Sequence, residues 1–209
     1  MNDQKNPSFT VVRRAEWAEQ PTPPPVLNNL LRDTSTPVLV HLAERYGLKR
    51  VPGLARQALI ERLLRHLSAA QLEDLTDDLI AARYGGLSVE DLLAIALEAD
   101  TRGGRRARPR LDDMPAGDAT LIEAAPGRWV YTMHGYDVRI DLQKRRLACG
   151  CAYFRFAARR GALCKHLARA FTLIPGTYAR EGLINLLVSR GYGGPDTPRW
   201  RFESLDEAA

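Results

Sequence analysis

All three cysteines of this 209-residue chain lie in one short stretch, residues 147–168, which reads LACGCAYFRFAARRGALCKHLA. The stretch contains Cys149-Gly150-Cys151, twelve further residues and then Cys164-Lys165-His166. Three thiolates and one imidazole are the Cys3His set that closes a tetrahedral zinc site. Because an odd number of cysteines in a chain without an export signal argues against a disulfide framework, metal binding is the first prediction. Reduced cysteines without a metal, or a redox pair of thiols, are the alternatives.

The spacing also predicts how the four side chains converge. Two thiols separated by one glycine can meet in a tight turn after a strand. Cys164 and His166 cannot share one helical face, since two residues span about 200° of a helix. We therefore expect Cys164 at the start of a helix and His166 in its first turn, where the helix dipole favours a thiolate. A complete set of four protein ligands predicts a structural zinc ion without a catalytic role.

The surrounding sequence predicts strands before the cysteines and helices after them. Residues 119–147 alternate apolar and polar side chains, and Gly135 marks the turn between the two strands of a β-hairpin. A second turn at residues 144–146 leads toward Cys149. Helices are predicted over His166–Ile174 and over Tyr178–Arg190.

The order Cys-x-Cys, spacer, Cys-x-His after a tryptophan-containing hairpin resembles the SWIM zinc finger. The similarity covers residues 119–174 and includes Phe154, three residues after the second cysteine, and Lys165 between the last two ligands. Leu163 stands where a proline is common. The resemblance implies that the zinc ligands are Cys149, Cys151, Cys164 and His166. The family is associated with DNA binding and also with protein–protein contact, so the resemblance leaves the partner open.

Upstream of the finger, residues 36–100 predict a run of amphipathic helices, and Ser68 with Gln71 forms a capping-box pattern. The stretch Pro37–Leu67 resembles the N-terminal helical module of transcription termination factor Rho and, more distantly, the SAP motif. The matching positions are Pro37, Leu42-Ala43-Glu44, Gly47-Leu48, Val51, Leu54, Gln57 and Leu59-Ile60. This resemblance implies a small helix–loop–helix module of a kind often attached to nucleic-acid-handling proteins. A plain helical hairpin is the alternative.

Composition and periodicity divide the chain into five segments and predict an α+β protein. They are a flexible proline-rich tail over 1–35, the helical module over 36–100, an arginine-rich linker over 101–118, the zinc finger over 119–174, and a C-terminal helix and tail over 175–209. The linker either clamps a phosphate backbone or keeps two modules apart.

Charge is distributed unevenly along the chain. Residues 1–100 carry a net charge of −3 and residues 101–209 one of +8, which together give the formal +5. A polyanion would therefore be attracted mainly by the second half, although solvated faces of an arginine-rich protein are the plainer explanation. The chain has neither an apolar stretch long enough to span a bilayer nor a signal peptide, which favours a cytoplasmic protein.

The candidate nucleic-acid contacts are basic residues in and around the finger, in the linker and on the helical module. They are Arg105, Arg106, Arg108, Arg110, Lys144, Arg145, Arg146, Arg155, Arg159, Arg160, Lys165, Arg169, Lys49, Arg50 and Arg56. Nearby aromatic side chains, Tyr153, Phe154 and Phe156, could stack on bases, or Phe154 and Phe156 could fill the core of the finger.

The motifs of common enzymes are absent from the sequence, including the phosphate-binding loop of Rho-like ATPases and the nucleophile elbow. We therefore expect a zinc-binding, non-catalytic adaptor that binds DNA or RNA mainly through the phosphate backbone. The alternative is a protein-interaction module that docks a DNA-processing partner, such as a helicase or transposase subunit, through the finger. The sequence leaves open the choice between DNA and RNA, the strandedness and the oligomeric state.

Overall fold

The computed structural model of the protein describes residues 26–49, 51–98, 119–189 and 199–205. Within these ranges, eight helices and five strands follow one another along the chain. In order they are α1 (Leu27–Asp33), α2 (Thr36–Arg45), α3 (Arg56–His66), α4 (Ala69–Tyr84), α5 (Val89–Glu98), β1 (Ala119–Ala125), β2 (Arg128–Met133), β3 (Tyr136–Asp141), β4 (Arg146–Cys149), α6 (Ala152–Ala158), α7 (Lys165–Leu173), α8 (Gly176–Ser189) and β5 (Arg201–Ser204). The predicted α+β class is confirmed.

The first four helices pack around a core built mainly of leucine. Leu39, Leu63 and Leu72, from three different helices, are completely buried there. Helix α4 begins with the predicted capping box: the backbone N–H of Gln71 donates to Ser68 Oγ (3.3 Å), and that of Ser68 donates to Gln71 Oε1 (2.9 Å). The helical prediction for residues 36–100 is confirmed in α2–α4, because each of these helices buries apolar side chains in a shared core.

The five strands form one sheet in the order β1-β2-β3-β4-β5. All neighbours are antiparallel except β4 and β5, which run parallel. Strands β2 and β3 are the predicted hairpin, and its turn at His134-Gly135 has positive φ at both residues (50° and 76°). Two-residue turns with positive φ at both positions match the twist of the strands in a hairpin. Glycine adopts a positive φ without the steric strain that other residues have there.

One face of the sheet carries the core, which the sheet shares with helices α5, α6, α7 and α8. Trp129 on β2 meets Tyr178 on α8, with ring centroids 5.2 Å apart. Gly182 lets α8 approach closely, since an added Cβ would lie 2.7 Å from Leu142 Cδ2 and 3.2 Å from Phe171 Cε1. Helix α5 belongs by sequence to segment 36–100, but it packs on α7 and α8 and shares their core.

Two arginines bind carbonyl groups at helix ends. Arg56 on α3 donates to the carbonyl oxygens of Leu31, Arg32 and Thr34 at the end of α1. Arg180 on α8 donates to those of Tyr84, Gly85 and Leu87 at the end of α4, at 2.9, 2.5 and 2.5 Å. Because the last carbonyls of a helix have no intrahelical partner, each guanidinium satisfies acceptors and favours the negative end of the dipole. Arg180 thereby ties the C-terminal part of the fold to the N-terminal helices.

The sheet is larger than the predicted two-stranded hairpin. Strand β5 pairs with β4 across more than fifty residues of sequence, a partnership that local periodicity cannot reveal. Strand β1 lies at the sheet edge, and all of its residues are exposed. Because neither side of the strand is buried, its sequence does not show the alternation of apolar and polar residues that predicts a strand. Helices α1 and α6 are two further elements that the sequence did not predict. The flexible tail predicted over 1–35 is wrong for α1, because Leu27, Leu30 and Leu31 bury an apolar face in the leucine core. Within the described ranges, no helix combines the length and the apolar character needed to cross a membrane.

Candidate metal centre

The four predicted ligands sit where one strand ends and two helices begin. Cys149 is the last residue of β4 and pairs with Val138 on β3. The chain turns at Gly150, whose N–H donates to the carbonyl oxygen of Asp137 (3.0 Å), and Cys151 then occupies the N-cap position of α6. Cys164 is the N-cap of α7, with His166 in the first turn, as the spacing predicted.

The ligand atoms converge on one point. The three Sγ atoms and a ring nitrogen of His166 all lie within 4.8 Å of one another, and all four residues are buried. Cys149 Sγ is 3.8 Å from His166 Nδ1. Around a tetrahedral ion at ordinary thiolate and imidazole distances, such atoms stand roughly 3.6–3.8 Å apart. The cluster therefore has the donor types and dimensions needed to hold a metal ion.

The electrostatics of the cluster also favour a cation. Hydrogen bonding to Cys151 raises the pKa of the Cys149 thiol to about 12, and burial raises the pKa of Cys164 well above its ordinary value. The pKa of Cys151 is lowered because the other two thiols donate to its sulfur. The three thiols are thus coupled through hydrogen bonds, and ionisation of one of them opposes ionisation of the other two. A bound dication would supply the charge that lets all three ionise.

Neighbouring groups hold the ligands in place. The backbone N–H of Leu167 donates to Cys164 Sγ (3.5 Å), so the sulfur caps α7 as well as facing the cluster. The His166 ring lies 5.3 Å from the ring of Tyr136 and 5.9 Å from that of His134, centroid to centroid. The sequence alone did not identify Tyr136 or His134 as neighbours of the ligands. Their position on either side of Gly135, in the predicted hairpin turn, was the only feature that could have indicated it.

Helix α6 resolves the open question about the aromatic residues beside the ligands. Phe154 is completely buried in the core, together with Ala157. Phe156 is 58% exposed and Tyr153 is 39% exposed. Phe154 therefore stabilises the fold, whereas Tyr153 and Phe156 present their rings to solvent next to the metal cluster.

The predicted basic contacts fall into groups with different surroundings. Arg155, Arg159, Arg160 and Lys165 are all exposed on α6, on the loop after it and at the start of α7. Lys144 and Arg145 lie in the β3–β4 turn, at the end of β4 opposite to Cys149. Arg169 is half-buried, and its Nη1 donates to Thr172 Oγ1 (3.3 Å). The first group thus lies along the chain between the ligands Cys151 and His166, on α6, on the loop after it and at the start of α7.

Arginines on the solvent-facing side of the sheet are paired with carboxylates. Arg146 on β4 contacts Glu203 on β5 at 2.5 Å, and Arg128 contacts Glu123 at 3.2 Å. Arg139 lies 3.7 Å from Asp137 on the same strand. Each of these three arginines therefore has a carboxylate beside it, which opposes the approach of a phosphate to Arg146.

The remaining candidates lie on the helical module or outside the described residues. Lys49 is exposed in the loop after α2, and its carbonyl oxygen accepts from Arg62 (2.8 Å). Arg56 has its guanidinium on the end of α1, which gives it a structural role in this fold. The residues outside the described ranges are Arg50, Arg105, Arg106, Arg108 and Arg110.

Comparison with known families, proteins and structures identified no similar protein. No family model, no curated protein and no solved structure matches the chain. The resemblances to the SWIM finger and to the Rho N-terminal module therefore rest on the residues given above.

Proposed function

We propose that this protein is a zinc-binding, non-catalytic adaptor that binds nucleic acid mainly through the phosphate backbone. The observation that carries the proposal is the basic surface beside the Cys3His cluster. From Leu142 to Arg180 the chain contains nine lysines and arginines and neither aspartate nor glutamate. Four of these cations are exposed on α6, its following loop and the start of α7. A surface of one sign attracts a polyanion.

Zinc is the metal that best suits the donor set. Three thiolates and one imidazole in a tetrahedral arrangement are a common structural zinc shell, and soft sulfur ligands disfavour magnesium and calcium. Four protein ligands leave a tetrahedral ion no open position for substrate or water. The proposal therefore assigns the metal a structural role, which is to hold β4, α6 and α7 together and so to present the basic surface.

The test is a binding series with the full-length, zinc-loaded chain. The protein is titrated into labelled single-stranded RNA, single-stranded DNA or duplex DNA at several salt concentrations. The slope of log affinity against log salt concentration is proportional to the number of phosphates that the protein contacts. Arg159→Gln/Arg160→Gln is expected to reduce the magnitude of that slope by about 1.4–1.8, since each contact contributes about 0.7–0.9.

The matched control is Arg45→Gln/Arg65→Gln, which removes the same charge from exposed positions paired with Asp78 and Glu61 on the N-terminal helices. It is expected to leave the slope unchanged. Equal effects of the two double variants would mean that binding follows net charge alone and has no site on this surface. Absence of binding at physiological salt, with one zinc per chain, would overturn the proposal.

Strand β1 favours protein docking as a second candidate function. It lies at a sheet edge, all seven of its residues are exposed, and Leu121 and Ile122 are 52% and 61% exposed. Exposed apolar edge strands can pair with an extended segment of another protein. A partner captured by wild type but not by Ile122→Lys, with nucleic-acid binding intact, would establish this second function.

A further inference from the structure

Helix α6 presents an unusual combination of side chains to solvent. We define the α6 face as Tyr153, Arg155, Phe156, Arg159 and Arg160. All five residues are exposed, and Phe156 is among the most exposed large apolar residues in the described part of the chain. Burying the exposed Phe156 ring against a ligand would be favourable, because the ring is apolar. A ligand with flat apolar groups suits the ring, and negative charge on the same ligand suits the neighbouring arginines.

The helix itself is firmly held, so the α6 face is fixed in position. Its inner side buries Phe154 and Ala157 in the main core, and α6 packs against β5. The residue before it, Cys151, belongs to the metal cluster. Binding through a surface that is already ordered has a small entropic cost, which favours contact through rigid rings.

The arrangement of the α6 face matches successive nucleotides of a single strand. Tyr153 and Phe156 are three residues apart on a helix, so their Cβ atoms lie about 5–6 Å from each other on one side. Arg155 and Arg159 are four apart and form a second row beside them. Two rings can therefore receive two unpaired bases while guanidinium groups contact the phosphates between them.

A duplex would leave the rings unused. In a double helix the faces of the bases are covered by their neighbours, and reading base edges requires polar side chains on a helix that enters the major groove. Helix α6 has seven residues and is about 10 Å long. Its exposed positions hold rings and arginines. Only unpaired bases can use both kinds of side chain.

We infer that the α6 face binds single-stranded nucleic acid, with unpaired bases stacked on Tyr153 and Phe156 and phosphates contacted by the arginines. This inference rests on the proposed nucleic-acid function and specifies its substrate class. The base stacking is sequence-tolerant, because every base has a flat face, and RNA and DNA share it.

The experiment compares four labelled probes bound to the full-length, zinc-loaded protein. They are a 12-nucleotide oligothymidylate, the matching oligouridylate, an abasic deoxyribose-phosphate strand of equal length, and a mixed-sequence 12-base-pair duplex. The variants are Phe156→Ala and Tyr153→Ala. Phe156→Trp is the conservative variant, and Leu173→Ala is the matched control, because Leu173 is 38% exposed at the end of α7 and outside the α6 face.

We expect each alanine variant in the α6 face to weaken binding of the two single-stranded probes by roughly ten-fold, the usual size of one stacking contact. The salt slope should not change, since no phosphate contact is lost. Phe156→Trp should retain wild-type affinity or exceed it, and Leu173→Ala should retain it. Wild type should bind the abasic strand more weakly than either alanine variant binds the normal strand, because the abasic strand loses both stacking contacts and each variant loses one. Duplex affinity should be the same for all variants.

The outcomes separate this inference from the proposed function. Equal affinity for single strands, abasic strand and duplex, unaffected by Phe156→Ala, would overturn the stacking inference and leave a backbone-binding adaptor. Failure to bind any probe at physiological salt would overturn both, and the α6 face would then be a surface for a protein partner. Because both ring side chains are exposed, the melting temperatures of the variants should stay within a few degrees of wild type, which verifies that folding is intact.

Discussion

The N-terminal helices α1–α4 and the sheet-containing part of the fold are built on different principles. Among the described residues, the buried core of the first consists of Leu, Ile and Ala side chains, and one half-buried aromatic ring, Tyr46, packs against it. The second combines Trp129, Phe154 and Phe171 with three cysteines and carries the basic excess. The comparison teaches that aliphatic burial stabilises the helical layer. In the sheet-containing part, three cysteines and His166 occupy buried positions, and their donor atoms lie close enough together to hold a metal ion.

The largest difference between the two regions should appear when the metal is removed. Cys164→Ala takes away one ligand and the N-cap of α7. We expect loss of metal and of amide protection in β3, β4 and α7, while α3 stays protected. The reason is that zinc binding and folding are coupled in small modules. The apparent free energy of zinc binding there, about 10–16 kcal/mol, therefore stabilises the folded state. Zinc content and hydrogen exchange measure the effect.

Lys165→Ala is the control for this prediction, because it changes an exposed residue between two ligands. When the metal is removed from wild type with a chelator, the same amides should lose their protection from hydrogen exchange. Addition of zinc should restore it. Full protection of β3 and α7 in the metal-free protein would contradict the structural role assigned to the metal.

A cavity in the leucine core should affect the opposite region. Leu63→Ala removes a completely buried side chain from α3, and we expect a loss of about 2–5 kcal/mol in the free energy of unfolding. Denaturant unfolding followed by circular dichroism measures it, with zinc content expected at one per chain. Leu64→Ala, at a half-buried neighbour, should cost less. If zinc were lost in parallel, the two regions would be a single cooperative unit.

The arginines at helix ends test how strongly the two regions are coupled. Arg180→Ala removes the bonds from α8 to the end of α4, and Arg56→Ala removes equivalent bonds inside the N-terminal region. Each should cost about 1–2 kcal/mol, because these bonds involve a charged donor but lie near solvent. Only Arg180→Ala should separate the unfolding transitions of α3 and β3 in hydrogen exchange. An identical response to both variants would show that Arg180 does not couple the regions.

The smallest effect concerns the start of α5, where the two regions meet. Asp91 accepts from the backbone N–H and the hydroxyl of Ser88 (3.0 and 2.9 Å), and these bonds lower its pKa. A lowered carboxyl pKa gives stability that is present above the unfolded pKa and is lost as the pH falls through the folded value.

Titration of the Asp91 carboxyl by NMR should therefore give a pKa below 3.8 in wild type and a higher value in Ser88→Ala. Ser68→Ala, at the capping box of α4, should leave Asp91 unchanged. A wild-type Asp91 pKa at or above 3.8 would contradict the prediction.

The ligand set shows what local sequence can predict. Cys149, Cys151, Cys164 and His166 were chosen from spacing and residue chemistry, and the structure brings their donor atoms within 4.8 Å. The hairpin turn at Gly135 and the capping box at Ser68 were equally readable, because each depends on a few consecutive residues.

Other features depend on contacts between distant parts of the chain. The sequence treated Arg56 as a surface cation, but the neighbouring end of α1 gives its guanidinium three carbonyl acceptors. Helix α5 was grouped with the N-terminal helices, although its apolar face is buried with the sheet. Amphipathic periodicity predicts that a face is buried and says nothing of which partner buries it.

The chain alone therefore determined the donor chemistry of the metal cluster and the local turns and caps, because these follow from side-chain type and short-range spacing. Tertiary structure decided which aromatic ring entered the core and which faced solvent: Phe154 and Phe156, two residues apart, lie 0% and 58% exposed. It also decided which arginines were paired with carboxylates on the sheet, as Arg146 is with Glu203. The physical reason is that burial and charge pairing are set by the neighbours that folding brings together.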